Sequence, residues 1–227
     1  DQLSSTALAL NGGTINDASG NSAILTLGVP GEAGSLSANA DLIIDTTDPR
    51  YTEEGGDTPF GIANVGSWSW ARPTLADIDA DGDLDLFIGH RDGNTLFFRN
   101  TAAPFDPTPA YTQQEADTPF GITFVGYNAS PAFADIDDDE DLDLFIGNQD
   151  GNTLFFRNTA APGATSPAYV QEGGDQPFRI TDVDQYASPT LADIDRDGDL
   201  DLFIGNNLGE TLFFRNTGSA GAPAYTQ

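Results

Sequence analysis

The sequence predicts an all-β protein made of three tandem, four-stranded, propeller-type blades, preceded by a short β segment. An acidic phrase that ends in Leu-Asp-Leu-Phe-Ile-Gly recurs every 58 residues, with its first aspartate at Asp77, Asp135 and Asp193. The phrase Thr-Leu-Phe-Phe-Arg-Asn-Thr recurs with it, starting at Thr95, Thr153 and Thr211. Such internal repetition indicates a repeat architecture, and a unit of this length has room for about four short strands. No stretch has the apolar spacing of an amphipathic helix.

The strands within a copy follow from its apolar pattern. Leu84, Leu86 and Ile88 alternate with other residues at the period of a strand. Asp92-Gly93 then favours a tight turn into the strand that begins at Thr95. Each copy opens with a tyrosine and an acidic stretch that leads to Pro-Phe. The recurring tyrosine segment therefore predicts blades at 51–110, 111–168 and 169–224, with 225–227 as the start of a further repeat. We therefore expect the chain to be a window of a longer array.

Residues 1–50 lack the acidic phrase. Segments 8–13, 23–27 and 42–45 are apolar enough to form strands, and 17–21 is typical of a turn. Three strands make a thin sheet with exposed edges, so we expect this segment to be half of a β-sandwich that needs a partner.

The charge of the chain is extreme and focused. There are 36 acidic residues against eight basic ones, all arginine, for a formal net charge of −28. Such a surface repels nucleic acid and anionic membranes. The segments 77–85, 135–143 and 193–201 hold 17 of the 36 acidic residues, so this clustering has a local role beyond solubility.

Cysteine is absent, which excludes disulfides, and bound metal is the usual substitute in a secreted protein. No apolar run is long enough to span a membrane.

The acidic loops have the composition of calcium sites. Carboxylates at positions 1, 3 and 5, a turn at 6, a backbone carbonyl at 7 and a carboxylate at 9 can form an all-oxygen cage. Ca²⁺ takes six to eight oxygens in flexible loops of this kind, Mg²⁺ demands a stricter octahedron, and Zn²⁺ prefers His or Cys. The predicted ligands of the three loops are Asp77, Asp79, Asp81, Asp83 and Asp85; Asp135, Asp137, Asp139, Asp141 and Asp143; and Asp193, Asp195, Asp197, Asp199 and Asp201. This gives about one Ca²⁺ per repeat.

Two details qualify the loops. An EF-hand opens in the same way, but its twelfth position would be Ile88 instead of a bidentate glutamate, and strands instead of helices flank the loop.

In the second loop Glu140 replaces the glycine of position 6, and a non-glycine residue there is expected to strain the backbone. The alternative to a metal site is an acidic turn that faces water, although five carboxylates so close together would repel one another.

Residues 51–224 resemble the FG-GAP/VCBS repeat, the blade of integrin-α-like propellers, through the phrases ADIDADGDLDLFIG and ADIDRDGDLDLFIG. The resemblance implies four-stranded blades with Ca²⁺ held between two strands by the ligands named above. Residues 1–47 resemble, more loosely, the C-terminal half of bacterial Ig-like surface-protein repeats. Three blades cannot close a ring, so further chain completes it, other copies complete it, or the blades stack openly.

Several other side chains have an expected role. We expect Arg99, Arg157 and Arg215 each to pair with a nearby carboxylate. Phe97, Phe98 and their repeats are expected in the core, and Phe87, Phe145 and Phe203 between blades. Trp68 and Trp70 lie on one strand face, where they either pack or stack on sugar rings.

The sequence therefore predicts an extracellular, Ca²⁺-stabilised structural or adhesion protein. It would be secreted, bacterial, and part of a larger surface or fibre-forming assembly, with other copies or further repeats as partners and glycans or cell-surface ligands as possible targets. Catalysis is not expected, since Cys and Lys are absent and His90 is replaced by Asn148 and Asn206 in the other copies. The alternatives are a lectin-type propeller that uses Trp68 and Trp70, and a non-catalytic module of a secreted polysaccharide-active enzyme.

Overall fold

A computed structural model describes residues 56, 58–66, 69–103, 106, 108–115, 119–161, 164–219 and 222–227. The chain divides into two units, Asp1–Glu54 and Gly55–Gln227, and all described residues belong to the second. The Ig-like segment expected at 1–50 and the residue Trp68 lie outside the described residues.

The second unit contains three four-stranded antiparallel sheets in tandem, which confirms the predicted all-β fold of repeated blades. In each sheet, spatial order equals chain order, so neighbouring strands are joined by short connections. The first sheet comprises β1 (Arg72–Ala76), β2 (Asp85–Gly89), β3 (Thr95–Asn100) and β4 (Tyr111–Glu115). The second comprises β5 (Ser130–Ala134), β6 (Asp143–Gly147), β7 (Thr153–Asn158) and β8 (Tyr169–Glu172). The third comprises β9 (Ser188–Ala192), β10 (Asp201–Gly205), β11 (Thr211–Asn216) and β12 (Tyr225–Thr226).

The sheets are offset from the copies as numbered from the sequence. The fourth strand of each sheet is the tyrosine segment that the sequence pattern places at the start of the next copy. Tyr111 thus pairs with Asn100 of β3, although the sequence pattern places it at the start of the second copy. Likewise Tyr225 pairs with Asn216, so Tyr225–Thr226, which the sequence pattern places in a further repeat, is the last strand of the third sheet. The physical reason is that a tandem pattern fixes the period but not the point at which one folding unit begins.

Tight turns connect the second and third strands of each sheet. Gly93, Gly151 and Gly209 occupy the left-handed region there, with φ near +85°.

Short 3₁₀ turns at Pro59–Gly61, Pro119–Gly121 and Pro177–Arg179 precede the sheets, and none of the described residues forms an α-helix. In each 3₁₀ turn the phenylalanine also has positive φ, for example +54° at Phe120. Its ring packs against Phe97 with centroids 4.8 Å apart, and this contact stabilises the unusual backbone.

Much of the core lies between consecutive sheets. Phe87 and Phe97 of the first sheet are fully buried. Phe87 contacts Phe133 of β5 in the second sheet, and Phe97 contacts Phe120 in the 3₁₀ turn that precedes this sheet. Phe145 and Phe155 are buried in the same way against Phe178. The expected placement between blades is therefore confirmed for Phe87 and Phe145. Phe203 is only partly buried, because no sheet follows β12 among the described residues.

Within the described part of the chain, no helix has the length and apolar character needed to cross a membrane.

Candidate metal centre

Each acidic loop lies between the first and second strands of its sheet. In the first loop, carboxylate oxygens of Asp77, Asp79 and Asp81 all lie within 4.8 Å of one another. The same three positions converge in the other loops, at Asp135, Asp137 and Asp139 and at Asp193, Asp195 and Asp197. Alternate residues share one side of an extended chain, and the curl of the loop then points these side chains toward a common centre. The carboxylates that the sequence places at positions 1, 3 and 5 thus converge in all three loops.

Backbone donors hold the first aspartate and curl the loop around it. Asp77 Oδ1 accepts the N–H of Asp81 at 3.2 Å, and its Oδ2 accepts the N–H of Gly82 at 3.1 Å. Asp135 does the same in the second loop, with the N–H groups of Asp139 and Glu140. Asx-type bonds of this kind shape tight loops and orient the carboxylate at the same time.

Position 6 of the loop needs a left-handed backbone. Gly82 and Gly198 have φ of +92° and +97°, and Glu140 has φ of +69°. Glycine adopts this region at no steric cost, whereas a glutamate does so against its intrinsic preference. The strain expected for the second loop is therefore present in the structure.

The ninth-position aspartate begins the second strand and is buried. Asp85, Asp143 and Asp201 are each at most 2% exposed. One oxygen of each accepts a backbone N–H from the end of the third strand; for Asp85 the donor is Asn100, at 2.7 Å. The second oxygen, Oδ2, is buried without a hydrogen-bond partner in all three loops.

Unpartnered buried carboxylate oxygens are costly, and here they recur at matching positions. Besides the ninth-position aspartates, Asp79 Oδ1 and Asp137 Oδ1 are buried without hydrogen-bond partners. Arg157 Nη1 lies 3.9 Å from Asp143 Oδ2, too far for a hydrogen bond. A cation in the loop would give these oxygens a closer partner. The all-oxygen donor set fits a hard divalent ion such as Ca²⁺ and does not fit Zn²⁺.

The protonation of the loops reflects the same burial. Burial raises the pKa of Asp85 to about 6, against the lowering effect of the Asn100 N–H, and the neighbouring Asp81 and Asp77 raise it further. Burial likewise raises the pKa of Asp143 to about 7. The pKa of Asp137 is raised by burial and by Asp139, with Arg157 opposing. Without a cation, the fold holds these carboxylates in sites that disfavour their charge.

An arginine from the third strand contacts each loop, as the sequence predicted. Arg99 Nη1 donates to Asp79 Oδ2, Arg157 to Asp137, and Arg215 to Asp195. Each guanidinium also lies over the phenylalanine two residues earlier, at 5.3 to 5.7 Å from the ring centroid. In the first two loops the arginine thus fixes one oxygen of the third-position aspartate and leaves the other, Oδ1, for the loop.

Sequence reasoning missed two further supports of the loop. The hydroxyl of Tyr111 donates to the carbonyl of Leu84 at 3.1 Å, which ties the fourth strand to the end of the loop. Equivalent bonds join Tyr169 to Leu142 and Tyr225 to Leu200. The side chain of Asn100 accepts the N–H groups of Ala102 and Ala110, so it also holds the connection to β4. The repetition of Tyr and of Phe-Phe-Arg-Asn was the available signal, but it does not say which atoms meet.

The predicted ligands therefore divide into two groups. The structure brings together positions 1, 3 and 5 of each loop and buries position 9 at its edge. For Asp83, Asp141 and Asp199 the predicted ligand is a backbone carbonyl, and that assignment stays a prediction. Binding of an ion by any of the fifteen aspartates also stays a prediction.

Trp70 lies at the opposite end of β1 from the acidic loop. It is 54% exposed, its ring centroid lies 6.3 Å from that of Tyr186, and the Arg91 guanidinium sits 5.7 Å above it. Beside it, a cavity of about 670 Å³ is bordered by the first strands of the sheets and by Arg72, Tyr186, Asn206 and Asn207. Trp70 is thus neither buried in a core nor isolated in solvent.

The chain also matches a known protein family. A model of the FG-GAP-like repeat matches residues 77–146 and again residues 135–204. Each match begins at the first aspartate of an acidic loop and runs into the second strand of the following sheet. Together the matches span more than half of the chain. No curated protein matches the chain.

Proposed function

Because the chain belongs to the FG-GAP-like repeat family, we propose that it is an extracellular structural or adhesion module whose sheets are each stabilised by one Ca²⁺. The chain is a repeat module of a family that is typically non-catalytic. We infer that this particular module binds calcium, lies outside the cell, has no enzymatic activity and serves in adhesion.

One observation carries the calcium part. Each loop brings three carboxylates within 4.8 Å and buries a further aspartate oxygen that has no hydrogen-bond partner. Carboxylates at this spacing repel one another, and a divalent cation converts the repulsion into attraction. Calcium binding would then be linked to folding, because the unfolded chain does not hold the carboxylates in this arrangement.

The extracellular part follows from this linkage. Loops that resemble extracellular modules bind Ca²⁺ with dissociation constants of about 0.1–1 mM, well matched to calcium outside cells. At a free concentration of about ten times the dissociation constant, one ion stabilises the folded state by about 1.4 kcal/mol. Three ions would supply a large share of the stability of a chain without cysteine.

The test is calcium titration of the whole chain by isothermal calorimetry, followed by thermal unfolding in calcium and in chelator. Asp79→Asn and Asp195→Asn should each lose one site and lower the melting temperature in calcium but not in chelator. Asp182→Asn, which removes one exposed negative charge outside the loops, is the matched control and should bind like the unmodified protein. Equal melting of all variants with and without calcium would refute the proposal.

A second candidate is carbohydrate binding at the end of the sheets opposite the loops. The observation that favours it is the exposed Trp70 beside Tyr186 and the amide-lined cavity, since sugars stack on aromatic rings and bond to amides. A glycan array with the unmodified chain and with Trp70→Ala tests this role. Binding that survives Trp70→Ala, or no binding at all, would count against it.

The partners of the module are proposed to be further copies or further repeats, in a larger surface or fibre-forming assembly. A role as the non-catalytic part of a secreted polysaccharide-active enzyme remains the other proposal for its context.

A further inference from the structure

The acidic loops of adjacent sheets contact the same apolar cluster. Ile78, at position 2 of the first loop, is buried in the cluster that lies between the first and second sheets. Leu142, at position 8 of the second loop, packs against this cluster from the other sheet. Ile136, at position 2 of the second loop, is buried in the next cluster, between the second and third sheets. The second loop therefore contacts both clusters.

A buried tyrosine connects each of the two later loops to the cluster before it. Tyr169 is buried in the first cluster, and its hydroxyl donates to the carbonyl of Leu142 at 2.9 Å. Tyr225 is buried in the second cluster, and its hydroxyl donates to the carbonyl of Leu200 in the third loop at 3.0 Å. Each cluster is thus linked to the acidic loops of both sheets that it joins.

An aromatic contact continues from the first cluster to the arginine of the first loop. The ring of Phe120, in the 3₁₀ turn before the second sheet, lies 4.8 Å from the ring of Phe97, measured between centroids. The Arg99 guanidinium lies 5.4 Å from the Phe97 centroid and donates to Asp79. The same contacts recur one repeat later, among Phe178, Phe155, Arg157 and Asp137.

The 3₁₀ turn is held by both sheets at once. Phe120 has a left-handed backbone, and its ring packs against Phe97 of the preceding sheet. At the next residue, a Cβ added to Gly121 would lie 2.7 Å from the carbonyl oxygen of Tyr169 in the following sheet. A strained backbone persists only while the surrounding contacts hold it. Loosening either sheet should therefore release the turn.

We propose that calcium binding at one acidic loop raises the calcium affinity of the loop in the adjacent sheet, and that the 3₁₀ turn with Phe120 or Phe178 carries this coupling. Without calcium, the mutual repulsion of the carboxylates loosens a loop and its side of the cluster. A loop that is ordered around an ion also orders the shared cluster, so the neighbouring loop binds with a smaller loss of conformational freedom.

The coupling follows the order of the repeats. In a linear array each repeat contacts only its neighbours, so interactions between repeats act between nearest neighbours. The second loop should be coupled to the first and to the third, whereas the first and third loops should bind independently of each other. Coupling is reciprocal, so each loop of an adjacent pair should raise the affinity of the other by the same factor, about fivefold or more.

This inference deepens the proposed calcium role and rests on it. Three single variants leave three different pairs of loops in the full chain. Asp195→Asn keeps the first and second loops, Asp79→Asn keeps the second and third, and Asp137→Asn keeps the first and third. The third variant is the matched control, because its two remaining loops are not in adjacent sheets.

Calcium titration by isothermal calorimetry should give two ions per chain for each variant. The two adjacent pairs should bind with a Hill coefficient above 1, which is about 1.4 for two like sites coupled fivefold. The separated pair should bind with a coefficient no greater than 1.

The outcomes separate the coupling from the calcium role. Two ions per chain with a coefficient of 1 or less in all three variants would overturn the coupling and leave the calcium sites in place. A coefficient above 1 in all three would also overturn it, because it would show that the whole chain folds around calcium as one unit. Absence of binding in all three would contradict the calcium role and the coupling with it.

Two further substitutions test the turn as the link. In the Asp195→Asn background, Phe120→Leu removes the ring contact with Phe97 and should lower the Hill coefficient toward 1, whereas Phe178→Leu should leave it unchanged. In the Asp79→Asn background the two effects should exchange. Thermal unfolding in saturating calcium identifies the variants that fold, and the comparison of loop pairs does not depend on them. A folded Phe120→Leu variant that keeps the coefficient of the first and second loops would overturn the assignment of the coupling to the turn.

Discussion

The buried aspartate at the start of β2 should make the chain more stable when it is neutralised, provided that no metal is present. Asp85 is 2% exposed, and burial raises its pKa to about 6 from an ordinary value of about 3.9. That difference of about two pH units corresponds to about 3 kcal/mol in favour of the protonated carboxyl. Asp85→Asn removes the charge and keeps an oxygen that can accept the N–H of Asn100.

The sign of the pH dependence follows from linkage. Between about pH 4 and pH 6 the folded, metal-free protein binds a proton at Asp85 that the unfolded chain has released. The contribution of this carboxyl to stability is therefore fully present below pH 4 and is lost as the pH rises through about 6. At pH 8 in chelator, Asp85→Asn should be more stable than the unmodified chain by up to about 3 kcal/mol. In saturating calcium the order should reverse, because the variant lacks a ligand of the first loop.

Urea unfolding followed by tryptophan fluorescence is a suitable assay, since both tryptophans lie just before β1. Measurements at pH 4 and pH 8, each in chelator and in calcium, give the four values needed. The exposed Asp182→Asn is the matched control and should shift little in any of them. A variant that is less stable than the unmodified chain at pH 8 in chelator would refute the reasoning, because it would show that the buried charge is not costly.

Three further substitutions probe single parts of the loops. Glu140→Gly relieves a left-handed backbone at φ +69° and should stabilise the second sheet by about 1 kcal/mol in urea unfolding, whereas no gain would mean that the turn is unstrained. Arg157→Gln frees the carboxylate of Asp137 and should weaken calcium binding at the second loop by about 10-fold or more in calorimetry, with smaller changes at the other two sites. Tyr169→Phe deletes the bond to the Leu142 carbonyl and should cost about 1 kcal/mol of stability, and an unchanged melting temperature would remove the tyrosine from the support of the loop.

The sequence was sufficient for the loops and for most of the sheets. Alternation of apolar residues predicts the strand from Asp85 to Gly89, and the Asp-Gly pair predicts the turn at Gly93. Both signals are local, so a single sequence shows them. The convergence of Asp77, Asp79 and Asp81 follows from their spacing alone. The burial of Phe87 between sheets was also predictable. Leu86, Phe87 and Ile88 place apolar side chains on both faces of the strand, so each face needs a further layer to cover it.

Other features depend on contacts that are distant in the chain. The fourth strand at Tyr111 pairs with β3 across a Pro-rich connection, and the phase of a tandem repeat does not reveal which neighbour a segment joins. The left-handed backbone of Phe120 exists because its ring fits beside Phe87 and Phe97, which lie in the preceding sheet. The contact between Trp70 and Tyr186 joins residues far apart along the chain and has no local signal.

Calcium in the acidic loops is most directly tested by crystals of the unmodified chain grown in calcium, with an anomalous-difference map. We expect one peak in each of the three loops, with carboxylate oxygens of positions 1, 3, 5 and 9 at about 2.3–2.6 Å from it. Three loops without a peak, with the oxygens of Asp85 and Asp143 bonded to water or to other protein groups, would contradict the assignment of these loops as calcium sites.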